Sequence, residues 1–338
     1  MEKEYYSMPG ISNSSMSLIN PDQGGTPKKY KKYIIDKEKE EGNSPSLKNG
    51  KLIHLYVEDP GSFVIADLDK PSDMMSSWVE EIKALLDLKE EDITSDNDML
   101  MHVVLETQKD RYKTTKDPVK LWEKFCKDGF DYLKFLVKGE DKIVINSSTK
   151  EIIENAIEGI KSNPLAKELL FEVGPDFGDT GFSELPIYWS DGQDESVLEC
   201  KALLDRIRVF PNSKKVQLID FKTTSKPGTL FKDSFRKFRY YRQLAYYTNA
   251  LLYFLKTTYS EIPSDEWNIE HYIVSVETYG TFECHVHDID VLWLIEGKQE
   301  YENLLNRLAY HYKHNQWETS IEELFQKGKL ELKYDEHT

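Results

Sequence analysis

The chain has 338 residues, 39% of them hydrophobic, with 60 acidic side chains against 44 basic ones and a formal net charge of −16. That is enough apolar material for one large domain or two ordinary ones. The longest apolar runs, ALLYFL at 250–255 and VLWLI at 291–295, are too short to span a bilayer, and the N-terminus carries no signal-peptide pattern, so the expectation is a cytoplasmic protein without a membrane partner.

The widely spaced Cys126, Cys200 and Cys284 form no C-x-x-C pair; they exclude a four-cysteine iron–sulfur cluster built within this chain and read as reduced, buried thiols. The negative total opposes phosphate binding, but distribution matters more. Residues 222–242 hold Lys222, Lys226, Lys232, Arg236, Lys237, Arg239 and Arg242 against Asp233 alone. A second cluster, Lys28, Lys29, Lys31 and Lys32, is followed by DKEKEE and suits a solvated face as well as phosphate contact.

In chain order, ISNSSMSLINPDQGGTPKKYKKYI places cap and turn residues before apolar positions and predicts short helices. The segment EEGNSPSLKNG reads as a polar loop, and GKLIHLYVEDP as a short helix carrying His54 and ended by Pro60. From about 73 to 171 the pattern is mainly helical, with Ser and Asp capping SDMMSSWVEEIKALLDL and Ser148 or Thr149 capping TKEIIENAIEGI. After the turn-forming GPDFGDTG, strands are expected near 182–189, 197–209 and 215–222, followed by one long helix over 233–257. Two more strands, HYIVSVETY and TFECHVH, and a helix over 288–313 follow, with no internal repeat. GPDFGDTG lacks the lysine pattern of a phosphate loop. His285 and His287 share a strand face, which an edge strand explains better than a metal site with no third ligand.

Alternation in VQLIDFK points Asp220 and Lys222 to one side and Ile219 and Phe221 to the other. In LLDRI, Asp205 shares a face with Leu203 and Ile207, and an acid in so apolar a setting needs a partner or a metal. Two carboxylates on neighbouring strands can hold a hard divalent cation, and an adjacent lysine can stabilise the charge of a phosphodiester transition state or help to activate water. Gln243 and Tyr247, four apart on the next helix, share a face near Arg236, Arg239 and Tyr240 that is expected to meet DNA, with Arg242 and Lys226 as further phosphate contacts.

The order LLDRI, IDFKT, QLAYY resembles the RecB-like branch of the PD-(D/E)xK nucleases, and ISNSS…GTPKKYKKYI…SLKNGKLIHLY resembles the N-terminal region of phage-type exonuclease VIII (RecE-like) exodeoxyribonucleases. The resemblance covers roughly 11–60 and 182–250; it does not reach the helical region between them. It implies metal ligation by Asp205, Asp220, the Phe221 carbonyl and His54, catalysis by Lys222, and site roles for Gln243 and Tyr247. Glu184, in SELPIYW, would order a metal-bound water. The cofactor would be Mg2+ or Mn2+, two ions, with a histidine ligand making manganese at least as plausible. Taken singly, acid-x-Lys is common by chance, His54 suits a core histidine, Glu184 a solvated strand edge and Tyr247 core packing.

The implied fold is an α/β, restriction-endonuclease-like core with a central mixed sheet flanked by helices, a helical insertion walling a DNA channel, and the site at the sheet edge. The expected organisation is a single nuclease domain over 1–338: N-terminal helices over 1–60, an accessory helical region over 61–180, a catalytic core over 181–315 and a C-terminal segment over 316–338. The implied activity is exonuclease action on linear double-stranded DNA ends, 5′ to 3′, in phage-type recombination or DNA processing. A ring-like homo-oligomer and a single-strand annealing protein are the implied partners. An endonuclease or structure-specific nuclease of the same fold, and a non-catalytic nucleic-acid-binding protein, remain as alternatives.

Overall fold

A computed structural model describes residues 2–38, 45–58, 63–65, 71–108, 117–138, 143–145, 147–191, 197–226 and 228–327. The chain divides into two compact units, Met1–Lys51 with Ala156–Thr338, and Leu52–Asn155.

The N-terminal region forms α1 (Glu2–Ser7), α2 (Asn13–Ser17) and α3 (Pro27–Tyr30). Ser12 and Thr26 cap the latter two by accepting the N–H groups of Ser15 and Lys29. The next helix, α4 (Pro45–Glu58), begins inside the stretch expected to be a polar loop. Proline suits the first turn of a helix, where its missing N–H costs nothing, so the His54 helix is longer than its apolar spacing alone suggests. Pro60 lies outside the described residues.

The second unit holds β1 (Phe63–Ile65), α5 (Asp73–Leu85), α6 (Asp98–Thr107), α7 (Pro118–Lys138), β2 (Ile143–Ile145) and the start of α8 (Ser147–Ser162). Its helices close on a core that includes Trp78, Val79, Ile82, Leu100, Phe125 and Leu133, with the Trp78 and Phe125 rings edge-on at 4.9 Å. β1 and β2 pair in parallel, a ribbon that the mainly helical expectation for this region did not include. Each strand is only three residues long, too short to show a period.

The first unit continues with α9 (Pro164–Phe171), β3 (Thr180–Asp191), β4 (Leu198–Phe210), β5 (Lys215–Thr224), α10 (Phe231–Lys237), α11 (Tyr240–Thr258), β6 (Asn268–Glu277), β7 (Cys284–Asp288), α12 (Val291–His314) and α13 (Ile321–Phe325). The fold is α/β: a mixed five-stranded sheet ordered β3-β4-β5-β6-β7 and flanked by helices. Within this sheet β5 and β6 are the parallel pair, and α10 with α11 forms the crossover such a pair requires. One face of the sheet packs under α11 and α12 through Ile207, Val209, Leu218, Tyr246, Leu251 and Leu308. Arg208, on the opposite side of β4 from Ile207, pairs with Glu168 of α9 and with the buried Asp179. α12 approaches α11 so closely that a Cβ on Gly297 would lie 2.3 Å from the Tyr241 carbonyl oxygen.

The single helix expected over 233–257 is instead two. Phe238 ends α10, and Arg239 adopts a left-handed φ of 57° before α11 begins. The turn lets Phe231 and Phe235 of α10 and Tyr241 and Leu244 of α11 pack in one cluster with Ile273, a gain that outweighs the roughly 1–2 kcal/mol cost of a left-handed non-glycine residue. All three cysteines are free; only Cys200 is fully buried, Cys126 and Cys284 being half-buried.

Candidate active site

The candidate residues lie at a fork in the middle of the sheet, which corrects the expectation of a site on its edge. β4 and β5 hold an antiparallel ladder from Phe210↔Lys215 to Arg206↔Ile219 and then part. Beyond that point β4 stays with β3, and its other edge is taken at Cys200 by Ile11, whose N–H donates to the Glu199 carbonyl and whose carbonyl accepts from the Lys201 N–H. β5 continues to Thr224 along β6. One step past the last ladder pair the register sets Asp205 against Asp220, so both acids stand where the backbones separate. There the Phe221 N–H donates to Asp205 Oδ2 at 2.8 Å.

The two-residue spacing of Asp220 and Lys222 brings their side chains together. Nζ lies 2.7 Å from each Asp220 oxygen and 3.9 Å from Asp205 Oδ2. It also sits 5.3 Å from the centre of the Tyr240 ring. From α11, Gln243 Nε2 donates to Asp220 Oδ1 at 3.1 Å and to the Tyr247 hydroxyl at 3.0 Å.

Asp220 is buried, and its Oδ2 accepts no hydrogen bond despite its closeness to Nζ. Burial pushes its carboxyl above the ordinary value; Lys222 opposes the rise and Asp205 adds to it. Burial alone would lower the Lys222 ammonium, but Asp220 and Asp205 reverse this and hold it above the usual lysine range. Burial and then the two carboxylates drive the Tyr247 phenol upward. A buried carboxylate oxygen without a hydrogen bond, beside a second carboxylate, is a donor set that fits a hard cation. Among the described residues no group of three or more His, Cys, Asp and Glu side chains is placed to hold a metal. The fit is therefore to an ion held by two carboxylates and a carbonyl, the rest of its shell being water or phosphate.

Glu184 lies on β3 between the ladder pairs Ser183↔Arg206 and Leu185↔Leu204, at the register position opposite Asp205. Its φ is 46°, a left-handed conformation inside a strand. Both Phe182 and Leu185, and both Leu204 and Ile207, pack with the same core, so side-chain alternation slips by one residue at the Glu184/Asp205 step. Such strain persists only where surrounding structure enforces it, and it concentrates at functional sites. Tyr5 of α1 is close by: burial raises its phenol, and Tyr6, Tyr188 and Glu184 raise it further.

Gly50 of α4 rests on the strand end beside the site, where an added Cβ would fall 2.4 Å from Thr223 Oγ1. His54, one turn on from Gly50, belongs to the portion of α4 that groups with the second unit. The expected DNA-contacting cations separate into distinct environments. Lys226 and Arg236 are exposed, Arg236 lying 5.4 Å from the Trp293 ring centre. Arg239 binds the Tyr241 hydroxyl, Asp22 and Glu300. Arg242 is fully buried, and its guanidinium donates to Asn13, Ser17, Gln23 and Glu300. It pins the N-terminal segment to α11 and α12 and is not a surface phosphate contact. His287 bonds Ser275 and stacks on Phe231, and His285 lies 3.5 Å from Glu283, on the edge strand β7.

Tyr5, Ile11 and Thr223 escape a reading of the sequence because each reaches the site from a distant or unremarkable position. No helix among the described residues is long and apolar enough to cross a membrane. No family model matches the chain, and no curated protein matches it. It is similar in structure to a protein of Eubacterium rectale described as a "putative exonuclease", at 13% identity and a TM-score of 0.48, over 99% of this chain and 95% of that one. So distant a likeness carries no argument, and the functional reading rests on the site itself.

Proposed function

We propose that the protein is a metal-dependent nuclease that hydrolyses phosphodiester bonds of DNA. The observation that carries this reading is the pair Asp205 and Asp220 at the strand fork, with a buried carboxylate oxygen that accepts no hydrogen bond and Lys222 alongside. Asp205, Asp220 and the Phe221 carbonyl would hold Mg2+ or Mn2+, with water or phosphate completing the shell. The bound cation supplies a Lewis acid for the phosphoryl oxygen and a lowered pKa for water.

Lys222, 2.7 Å from Asp220 and 3.9 Å from Asp205, would stabilise developing negative charge on the phosphoryl oxygens or help to activate water. Gln243 fixes the Asp220 carboxylate and the Tyr247 hydroxyl through its two donated bonds. Glu184, facing Asp205 across the strands, orients the attacking water. Lys226 and Arg236, both exposed, would attract the phosphate backbone.

At the finer level, the sequence resemblance supports exonuclease action on linear double-stranded ends, 5′ to 3′, by a homo-oligomer working with a single-strand annealing protein in phage-type recombination. Incubation of wild type and Asp220→Ala with an end-labelled linear duplex and a closed circle, each with Mg2+ or Mn2+, tests both levels. Wild type should consume the linear duplex progressively and spare the circle, and the variant should leave both intact. Cleavage by Asp220→Ala at the wild-type rate would refute the mechanism, and cutting of the circle would refute the exonuclease assignment while leaving the nuclease.

A further inference from the structure

We infer that Phe238 is a stacking platform for an unpaired nucleobase next to the phosphate at Lys222, so that the site takes nucleic acid through a single-stranded end. This rests on the nuclease reading and names the form of substrate the site accepts.

A lone exposed apolar side chain is ordinary on a protein surface, but Phe238 is neither lone nor randomly placed. Its ring, half exposed, forms the outer end of a row of aromatic contacts leading inward. Phe238 meets Tyr240 at 5.7 Å, Tyr240 stacks on Phe231 at 5.9 Å, and Phe231 stacks on His287 at 4.5 Å. Tyr240 is the ring beside the Lys222 ammonium. The exposed ring is therefore two contacts from the group assigned to the scissile phosphate.

The backbone maintains this display. Phe238 and Arg239 are the whole connection between α10 and α11, and the left-handed Arg239 is braced by its bonds to Tyr241, Asp22 and Glu300. A rigid elbow loses less entropy on binding than a mobile loop. The flanking charge is complementary: Lys237 is exposed with Nζ 5.5 Å from the Phe238 ring centre, and Arg236 is exposed one residue earlier. An aromatic face bordered by cations is the combination that binds single strands, the ring taking a base and the cations the backbone. A paired base inside a duplex presents no free face to such a ring.

The test is equilibrium binding of a short fluorescein-labelled oligothymidylate, followed by anisotropy in EDTA over a salt series, so that no cleavage intervenes. Phe238→Ala should bind about ten-fold more weakly than wild type, with an unchanged slope of log affinity against log salt. Phe238→Trp should stay within about two-fold of wild type, and Phe238→Leu should fall with the alanine variant. Lys237→Ala should instead make the salt slope shallower by about one. A closed circular duplex, which offers no unpaired base, should bind wild type and Phe238→Ala alike. Since the ring is half exposed, superimposable thermal melts are expected for all variants. If wild type binds and Phe238→Ala or Phe238→Leu binds equally well, or if the circle loses affinity in parallel, this inference alone fails. If wild type binds no oligonucleotide, this inference fails as well, whereas the nuclease reading fails only if the linear duplex also survives with Mg2+ or Mn2+.

Discussion

Lys222 and Asp220 should move metal affinity in opposite directions. A ligand bound only to the folded protein stabilises it by about 2.7 kcal/mol at a hundred-fold excess over its Kd, which in a unit of this size is a rise in Tm of about 5–10 °C. Asp220→Asn removes the carboxylate whose Oδ2 lacks a hydrogen bond; its amide oxygen can still accept from Lys222 and Gln243, so the metal-free protein should lose only about 1 kcal/mol. The Mn2+-induced rise should disappear. Lys222→Met removes a cation lying 2.7 Å from both Asp220 oxygens. Like charges about 4 Å apart repel by about 4 kcal/mol at an effective dielectric of 20, so even after relaxation the variant should bind Mn2+ at least about ten-fold more tightly. It should nevertheless cleave no DNA, and its metal-free form should lose about 3 kcal/mol because Asp220 is left buried without its partner. Differential scanning fluorimetry across a Mn2+ titration reads all three proteins. A wild-type-sized shift in Asp220→Asn, or weaker binding in Lys222→Met, would show that the cation does not sit on these carboxylates.

Three further outcomes follow from particular residues. Because Glu184 sits at φ 46°, Glu184→Gly should be more stable than Glu184→Ala by about 1 kcal/mol, the reverse of the order at an ordinary strand position, as read by urea denaturation. His271 is buried against Thr248, and burial lowers its pKa to about 4, Asp288 offering only partial opposition. Its stabilising contribution is thus complete above its unfolded pKa near 6.5 and is lost as pH falls through about 4, a change of about 3 kcal/mol that His271→Gln should flatten in melts between those limits. Arg242→Met should destabilise the protein by about 3 kcal/mol or more, since Glu300 and the N-terminal segment lose their buried partner. It should leave the salt dependence of DNA binding unchanged, whereas Arg236→Ala should reduce that slope by about one and leave the melt where it is.

What could be read from the sequence was local. A period of two relates Asp220 to Lys222, and a spacing of four relates Gln243 to Tyr247; each pair meets in the structure because strand and helix geometry alone decides it. The sheet was legible for the same reason, every strand carrying its own apolar run. Chain-distant relations were not. Arg242 sits in a row of cations and looks solvated, yet its environment is set by Asn13 and Ser17, more than two hundred residues away. The break at Phe238 and Arg239 falls in a continuous helical pattern with no glycine or proline to mark it, and the turn is favoured by the cluster around Ile273 and by the bonds of Arg239 to Tyr241, Asp22 and Glu300.

These unread features are what turn a pair of acids into a site. Asp205 and Asp220 are reachable because β4 leaves β5 one residue before them, and β4 can leave because Ile11 takes up its edge at Cys200. Ile11 is in turn held by Tyr246, whose hydroxyl donates to its carbonyl, and by the segment that Arg242 anchors. Tyr246 and Arg242 lie on the same helix as Gln243, so α11 both orients Asp220 directly and keeps the fork open through the N-terminal segment. Loosening that segment should therefore close or blur the fork and reduce metal binding even though no ligand is touched, which makes Arg242→Met a variant whose Mn2+ response should weaken together with its stability.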